Sequence, residues 1–242
     1  LIGPPCHGAP GRRRHLLKSG FSLVRKSLYG YMSSRGFFWT LVVAWMMGPL
    51  VYLFVWVTAA GDGVVGGFSR GDFIVYYVAL IFVNQLTYPT SHWIVGEGIR
   101  GGVISTWLLR PVPVIYEAVA SDVAVKIVCL PVIVVITVLL GIVFNVSISL
   151  GLPVVFYFVL SLVLAQVLRF LFFYVLALLA FWTHRIDALL TLGNTFVFLF
   201  AGQVAPVAIL PGFLKDLAVW LPFRYMLGFP LEVLTGKLSP GE

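Results

Sequence analysis

Charge is what this sequence has least of. Of its 242 residues, 10% are Asp, Glu, Lys or Arg, where a soluble domain carries about 25%. A water-soluble fold would have too little polar surface to cover its interior. Cysteine is nearly missing as well. Cys6 and Cys129 are the two, one in a Pro- and Gly-rich tail and one in an apolar run, which speaks against a disulfide framework or a thiolate cluster. No His-x-x-x-His or paired-Cys metal spacing occurs. The serines have no matching His/Asp arrangement and the acids are scattered, so no catalytic constellation emerges. The phosphate-cradling pattern G-x-x-x-x-G-K-[ST] is also lacking: Gly236-Lys237 follows no Gly-rich loop and runs on into Leu238. The chain therefore reads as a non-enzyme, with no metal, cofactor or nucleotide site of its own.

What it does have is apolar length. Hydrophobic residues make up 60% of it and the mean hydropathy is +1.03. Several runs reach the roughly 20 residues that cross a bilayer. The expected fold is all-α, a polytopic transmembrane helical bundle. Residues 1–15 are expected to be a disordered basic tail, with the membrane domain over 16–242. Leu17, Phe21, Val24, Leu28 and Tyr31 recur at helical spacing, with Lys18, Arg25 and Lys26 on the polar face. That pattern predicts an N-terminal amphipathic helix lying in the interface.

Spans are expected at about 37–60, 73–95, 127–144, 153–182 and 188–204. Gly48-Pro49 is placed to kink the first, and Asp72 to cap the second. The helix feeding the third starts near residue 115, with Asp122 and Lys126 paired at i,i+4. The fourth, at roughly 30 residues and about 45 Å, exceeds a hydrocarbon core of about 30 Å. It must tilt or protrude. Beyond 204, Pro206, Pro211 and Gly212 break the chain. Residues 205–242 read as short outer-face helices, with a sixth span missing. Asn145-Val146-Ser147 matches a glycosylation triplet but abuts a span end.

The basic residues are unevenly spread. Arg12, Arg13, Arg14, Lys18, Arg25, Lys26 and Arg35 precede the first span. The 97–126 loop and the 183–187 turn hold more, while the first two outer loops contain Arg70 alone. This asymmetry predicts a cytoplasmic N-terminus in a multi-pass cell-membrane protein. It also assigns the net charge of +7 to anionic headgroups of the lipid bilayer, with no nucleic-acid partner.

Polar groups inside apolar runs are the candidate working residues, because lipid does not solvate them. Asn84, Gln85, Thr87, Thr90, Ser91 and His92 crowd the second half of the second span. Asn84, Gln85 and His92 are expected either to line a path or to glue helices together. Arg169 sits in the middle of the fourth span, where an arginine costs on the order of 3 kcal/mol on insertion scales. It is expected to face an anionic group on a pathway or to make a structural hydrogen bond. His184 and His92 are more readily structural than proton-relaying.

Three stretches carry a family resemblance. The first is Glu97-x-x-Arg100-Gly101-Gly102-x-Ile104-Ser105-x-x-Leu108-Leu109-Arg110-Pro111-Val112. The second is Leu179-Ala180-Phe181-Trp182-Thr183. The third runs from Ala201-Gly202-Gln203-Val204-Ala205-Pro206 through Leu210-Pro211 and Leu221-Pro222-Phe223-Arg224-Tyr225 to Pro230 and Gly236-Lys237-Leu238. Together they resemble the type-2 ATP-binding-cassette exporter permeases, in the branch whose ATPase and permease are separate chains. The resemblance implies an amphipathic elbow helix and a docking element in the loop after the second span. It implies a second permease, identical or paralogous, and an outer gate in the broken 202–235 segment with Gly202, Pro206, Pro211 and Phe223. It also puts ATP and Mg in a partner ATPase rather than in this chain.

Since an ATPase delivers work only through contacts that differ between its states, the N-terminal helix and residues 97–115 are the expected coupling surface. Glu97, Arg100 and Arg110 are the coupling candidates there. The rival readings are an ion- or proton-coupled secondary transporter, which predicts acids deep in the spans, and a non-transport scaffold subunit. An apolar wall with scattered polar groups suits a lipid, a drug or a glycolipid equally as substrate.

Overall fold

The computed structural model describes residues 10–33, 35–146, 151–183 and 185–236. The expected tail up to residue 9, the middle of the 145–153 turn, His184 and residues 237–242 lie outside the described residues. The chain is almost wholly helical: α1 Pro10–Ser33, α2 Arg35–Ala60, α3 Arg70–Thr87, α4 Ser91–Arg100, α5 Ile104–Leu108, α6 Ile115–Val143, α7 Leu152–Leu178, α8 Ile186–Phe200, α9 Gly212–Trp220 and α10 Phe223–Thr235. One small hairpin, β1 Val64–Val65 and β2 Phe68–Ser69, joins α2 to α3. Helix α1 takes in residues 10–15, which the sequence reading leaves in the tail. Arg12, Arg13 and Arg14 are good helix formers.

Among the described residues, four stretches are long and apolar enough to cross a membrane: Val43–Ala60, Arg70–Arg100, Ile115–Val143 and Leu152–Phe181. Helices α9 and α10 make a fifth only if counted as one span through a bend of 101°. Helix α8 has 15 residues, about 22 Å of length, which falls short of the hydrocarbon core. Pro49 and Pro131 lie inside α2 and α6 without ending either helix.

The Arg70–Arg100 stretch is the centre of the bundle. Over an 18-residue window of it, 72% of the residues are buried, against 17%, 22% and 28% for such windows in the other three. Its polar residues explain this: lipid offers them no partner, so neighbouring helices must enclose them. Helices α2, α6, α7 and α10 pack around it. Their outer faces carry Phe54, Val135, Leu139, Phe156 and Leu164, all exposed, as lipid requires. Helix α1 lies along α6. Lys26 Nζ donates to Glu117 Oε1 at 2.8 Å, and the Tyr31 and Ser121 hydroxyls meet at 2.9 Å. Burial raises the pKa of the Tyr31 phenol.

At the opposite end, Gly66 and Gly67 turn the hairpin with φ of +57° and +83°, the pair of left-handed values a two-residue turn needs. Ser69 caps α3 through a reciprocal pair: its hydroxyl accepts from the Asp72 amide and its own amide donates to the Asp72 carboxylate. Asp72 thus completes the capping box rather than serving as the cap itself.

After α8 the chain makes a tight turn whose carbonyls are capped by aromatic donors. Tyr76 Oη donates to the Gly202 carbonyl at 2.8 Å. Tyr77 Oη and Trp56 Nε1 each donate to the Val204 carbonyl at 2.7 Å. Gly202 has φ +83°, and a Cβ there would lie 2.4 Å from Tyr76 Oη. The left-handed backbone alone costs a non-glycine residue about 1–2 kcal/mol. Gly202→Ala is therefore expected to lower the melting temperature of the detergent-purified protein. Adding Tyr76→Phe should recover part of the loss by removing the oxygen that clashes. An unchanged melting curve would mean that the turn yields freely.

Candidate functional site

Two helices meet at residues 88–90 inside the core, and the break leaves backbone groups that no regular ladder satisfies. Two of them are met by side chains. Thr90 N–H donates to Asp122 Oδ1 at 3.0 Å. The Tyr88 carbonyl accepts from Lys126 Nζ at 3.4 Å. Asp122 also accepts from Gln166 Nε2 at 2.8 Å and pairs with Lys126. Asp122 is 3% exposed, so one carboxylate on α6 binds the α3–α4 break, its own helix and α7. Irregular backbone at membrane depth survives only where protein covers it in this way.

Arg169 of α7 is the second clamp. It is 1% exposed. Its Nη1 donates to Asn84 Oδ1 and to Thr87 Oγ1, both at 2.9 Å, and its guanidinium lies 5.2 Å from the Tyr88 ring centre. Those partners are neutral, and Nε has no hydrogen bond among the described residues. Several such contacts together replace part of the solvation that a cation this deep has lost. Gln203 Nε2 also reaches Asn84 Oδ1, at 3.4 Å, which ties the clamp to the turn after α8.

Of the expected pathway residues, Asn84 and Arg169 are thus brought together. Gln85 is buried with both amide atoms unpartnered among the described residues. His92 is fully buried in an aromatic setting, its ring 5.0 Å from Phe173 and 5.2 Å from Trp93.

The expected coupling residues lie around α5. Glu97 and Arg100 pair at 2.5 Å, and Arg100 also pairs with Asp187 at the start of α8. Arg110 pairs with Glu117 at 3.0 Å, and Glu117 in turn takes Lys26 at 2.8 Å. Two charge chains therefore link this end: Glu97–Arg100–Asp187 from α4 to α8, and Arg110–Glu117–Lys26 from the α5–α6 connector to α1. Trp107 of α5 packs so close to α4 that a Cβ on Gly98 would lie 2.5 Å from its ring. Beside these charges the connector exposes Leu108 (66%) and Leu109 (86%). Sequence reasoning quoted both leucines within the family resemblance but named the charged residues alone as coupling candidates, and gave Glu117 and Asp187 no role.

The four expected gate residues divide. Gly202 and Pro206 are buried in the turn after α8, and Pro211 is exposed ahead of α9. Phe223 is buried at the start of α10, stacked on Phe196 at 5.6 Å and edge-on to Phe172 at 5.5 Å. Next to it, Arg224 and Glu232 form a buried fork, Nη2–Oε2 at 2.5 Å and Nε–Oε1 at 3.2 Å. The sequence reading named neither of them as a site residue. Their spacing of eight residues, about two helical turns, was the available signal.

A polar interior enclosed by helices with apolar outer faces defines a class first: a multi-pass helical membrane protein built around one broken central span. Within that class, residues 43–242 match the model of the family described as ABC-2 family transporter protein. The chain belongs to that family and is the membrane permease component of an ABC transporter, not itself catalytic. Helix α1 precedes the matched region. No curated protein and no solved structure matches the chain.

Proposed function

We propose that this chain is the permease subunit of an ATP-driven exporter, that it works as a dimer with an identical or paralogous permease, and that a separate cytosolic ATPase chain carrying ATP and Mg docks on α5. The observation that carries the reading is the exposed Leu108-Leu109 pair on a connector otherwise rich in charge and glycine. Two neighbouring aliphatic side chains outside the apolar spans, flanked by Arg110 and the Glu97–Arg100 pair, suit insertion into a partner's cleft. Rigid transmission is supported by Trp107 of α5 against Gly98 of α4, and by the two charge chains, one joining α4 to α8 and one joining the α5–α6 connector and α6 to α1. A push on α5 would reach the broken central span through α4, whose far end is the 88–90 break.

The secondary-transporter reading fits less well. The two buried carboxylates, Asp122 and Glu232, are both paired with cations, so neither resembles a proton carrier awaiting its load.

Leu108→Asp with Leu109→Asp is expected to abolish co-purification of an ATP-hydrolysing chain with the solubilised permease, while its melting temperature stays within a degree or two of wild type. Retention of the ATPase by the double variant would move docking elsewhere. Failure of any nucleotide-hydrolysing chain to accompany the wild type would remove the ATP-driven reading altogether. A gentler test concerns the charge chain. Glu117→Gln leaves Lys26 and Arg110 without their shared acid, but both cations are well exposed, 61% and 41% in their side chains, and water can take over, so its effect on stability should stay at about 1 kcal/mol. Its effect on ATP hydrolysis in the complex should be larger and should shrink with added salt. Salt-independent behaviour would point to packing instead of charge.

A further inference from the structure

A cavity of about 690 Å³ lies between α1, α4, α5 and α6, in the size range of ligand sites. Its walls are mainly apolar, with Tyr31, Ile94, Trp107 and Val125 among them, and Trp93 and Val103 line it while remaining exposed at its mouth. Three charged side chains also line it: Lys26, Glu97 and Glu117. Its roof is α1, the amphipathic helix, so an apolar hollow opens beside a pair of opposite charges at the edge of the bundle. Apolar walls of this kind do not hold water well.

We propose that this cavity binds one acyl chain of a zwitterionic phospholipid whose head carries a primary ammonium. Lys26 faces the phosphate and Glu97 the ammonium. Transfer of an acyl chain from bilayer to cavity gains little by itself, because lipid tails are as apolar as the wall. The head therefore decides which lipid sits there. Lys26 shares Glu117 with Arg110, so its ammonium can turn to a phosphate while Arg110 keeps the acid paired. Glu97 is 71% exposed in its side chain, so one face remains open to a donor. A head of one sign would meet its own charge on one side of the mouth. The site is on this chain alone and does not depend on an ATPase docking at α5.

The test uses the full chain in nanodiscs containing a phosphatidylethanolamine with a photoactivatable diazirine on one acyl chain. Mass spectrometry then maps the adducts. Labelling of Trp93, Trp107 and Val125 should exceed that of the lipid-facing α7 residues Val163 and Leu164 by at least about fivefold, roughly 1 kcal/mol of preference. Unlabelled phosphatidylethanolamine should compete better than phosphatidylcholine or phosphatidylglycerol. Glu97→Gln should erase that ranking. A Cβ at Gly30 meets nothing within 4 Å, so Gly30→Phe should fill the space and suppress the adducts. Val125→Phe does the same from α6. Wild-type labelling no greater than that of α7 overturns the proposal, as does equal competition by all three lipids. So does labelling that emerges only when residues 1–9 are deleted, since the tail would then be the occupant.

Discussion

Replacing Asp122 with alanine is expected to remove most of the folded permease. Three donors depend on this carboxylate: the Thr90 amide, the Gln166 side chain and Lys126. Its loss leaves Lys126 as an unpaired, mostly buried cation, and breaking one half of a buried pair costs about 3–5 kcal/mol. Whole domains are stable by only about 5–15 kcal/mol. The purified Asp122→Ala variant should elute as aggregate or melt far below wild type. The double variant Asp122→Ala with Lys126→Met should recover much of the loss, since the stranded charge is gone while the apolar stem is kept. A single variant that melts with the wild type would show that water or lipid already solvates this group, and the clamp would then not exist.

Arg169→Met should separate folding from work. Methionine keeps the length of the apolar stem, and replacing a buried cation with a hydrophobe is often neutral or stabilising. Thr87 Oγ1 still donates to the Val83 carbonyl, so little is stranded. What disappears is the tie from α7 to the end of α3 and into the break, through Asn84, Thr87 and the Tyr88 ring. If ATP-driven movement runs through that break, turnover of the reconstituted complex should fall by roughly tenfold, the effect of about 1.4 kcal/mol, with the melting temperature held or raised. Arg169→Lys should not restore it, because an ammonium presents no planar face to Tyr88 and fewer donors. Wild-type turnover by Arg169→Met would reduce this residue to glue.

These two residues also mark how far the sequence could be read. The membrane class followed from hydropathy and charge alone. The inward face of the second span followed from the cost of placing Asn84, Gln85 and His92 in lipid. The pairing of Glu97 with Arg100, and of Asp122 with Lys126, was visible in spacings of three and four. Beyond local spacing the sequence is silent. That Asp122 also holds Thr90, 32 positions away, or that Arg169 reaches Asn84, 85 positions away, depends on which helices are neighbours. The break at 88–90 was hidden because Tyr88-Pro89-Thr90 reads equally well as a kink in one continuous span. The Arg224–Glu232 pair was passed over because nothing in the sequence shows that this Pro-rich tail folds into a helix that other elements enclose.

The placement of the clamp has a consequence for how the protein is made. A ribosome delivers α3 and α4 before α6 and α7, so for a time the break exists without Asp122, Lys126, Gln166 or Arg169. During that interval its bare amide and carbonyl, together with Asn84, Thr87 and Gln85, would be stranded if released sideways into hydrocarbon. The second crossing is therefore a poor candidate for early departure from the insertion machinery. It should linger there, or with a chaperone, until well over sixty further residues have emerged.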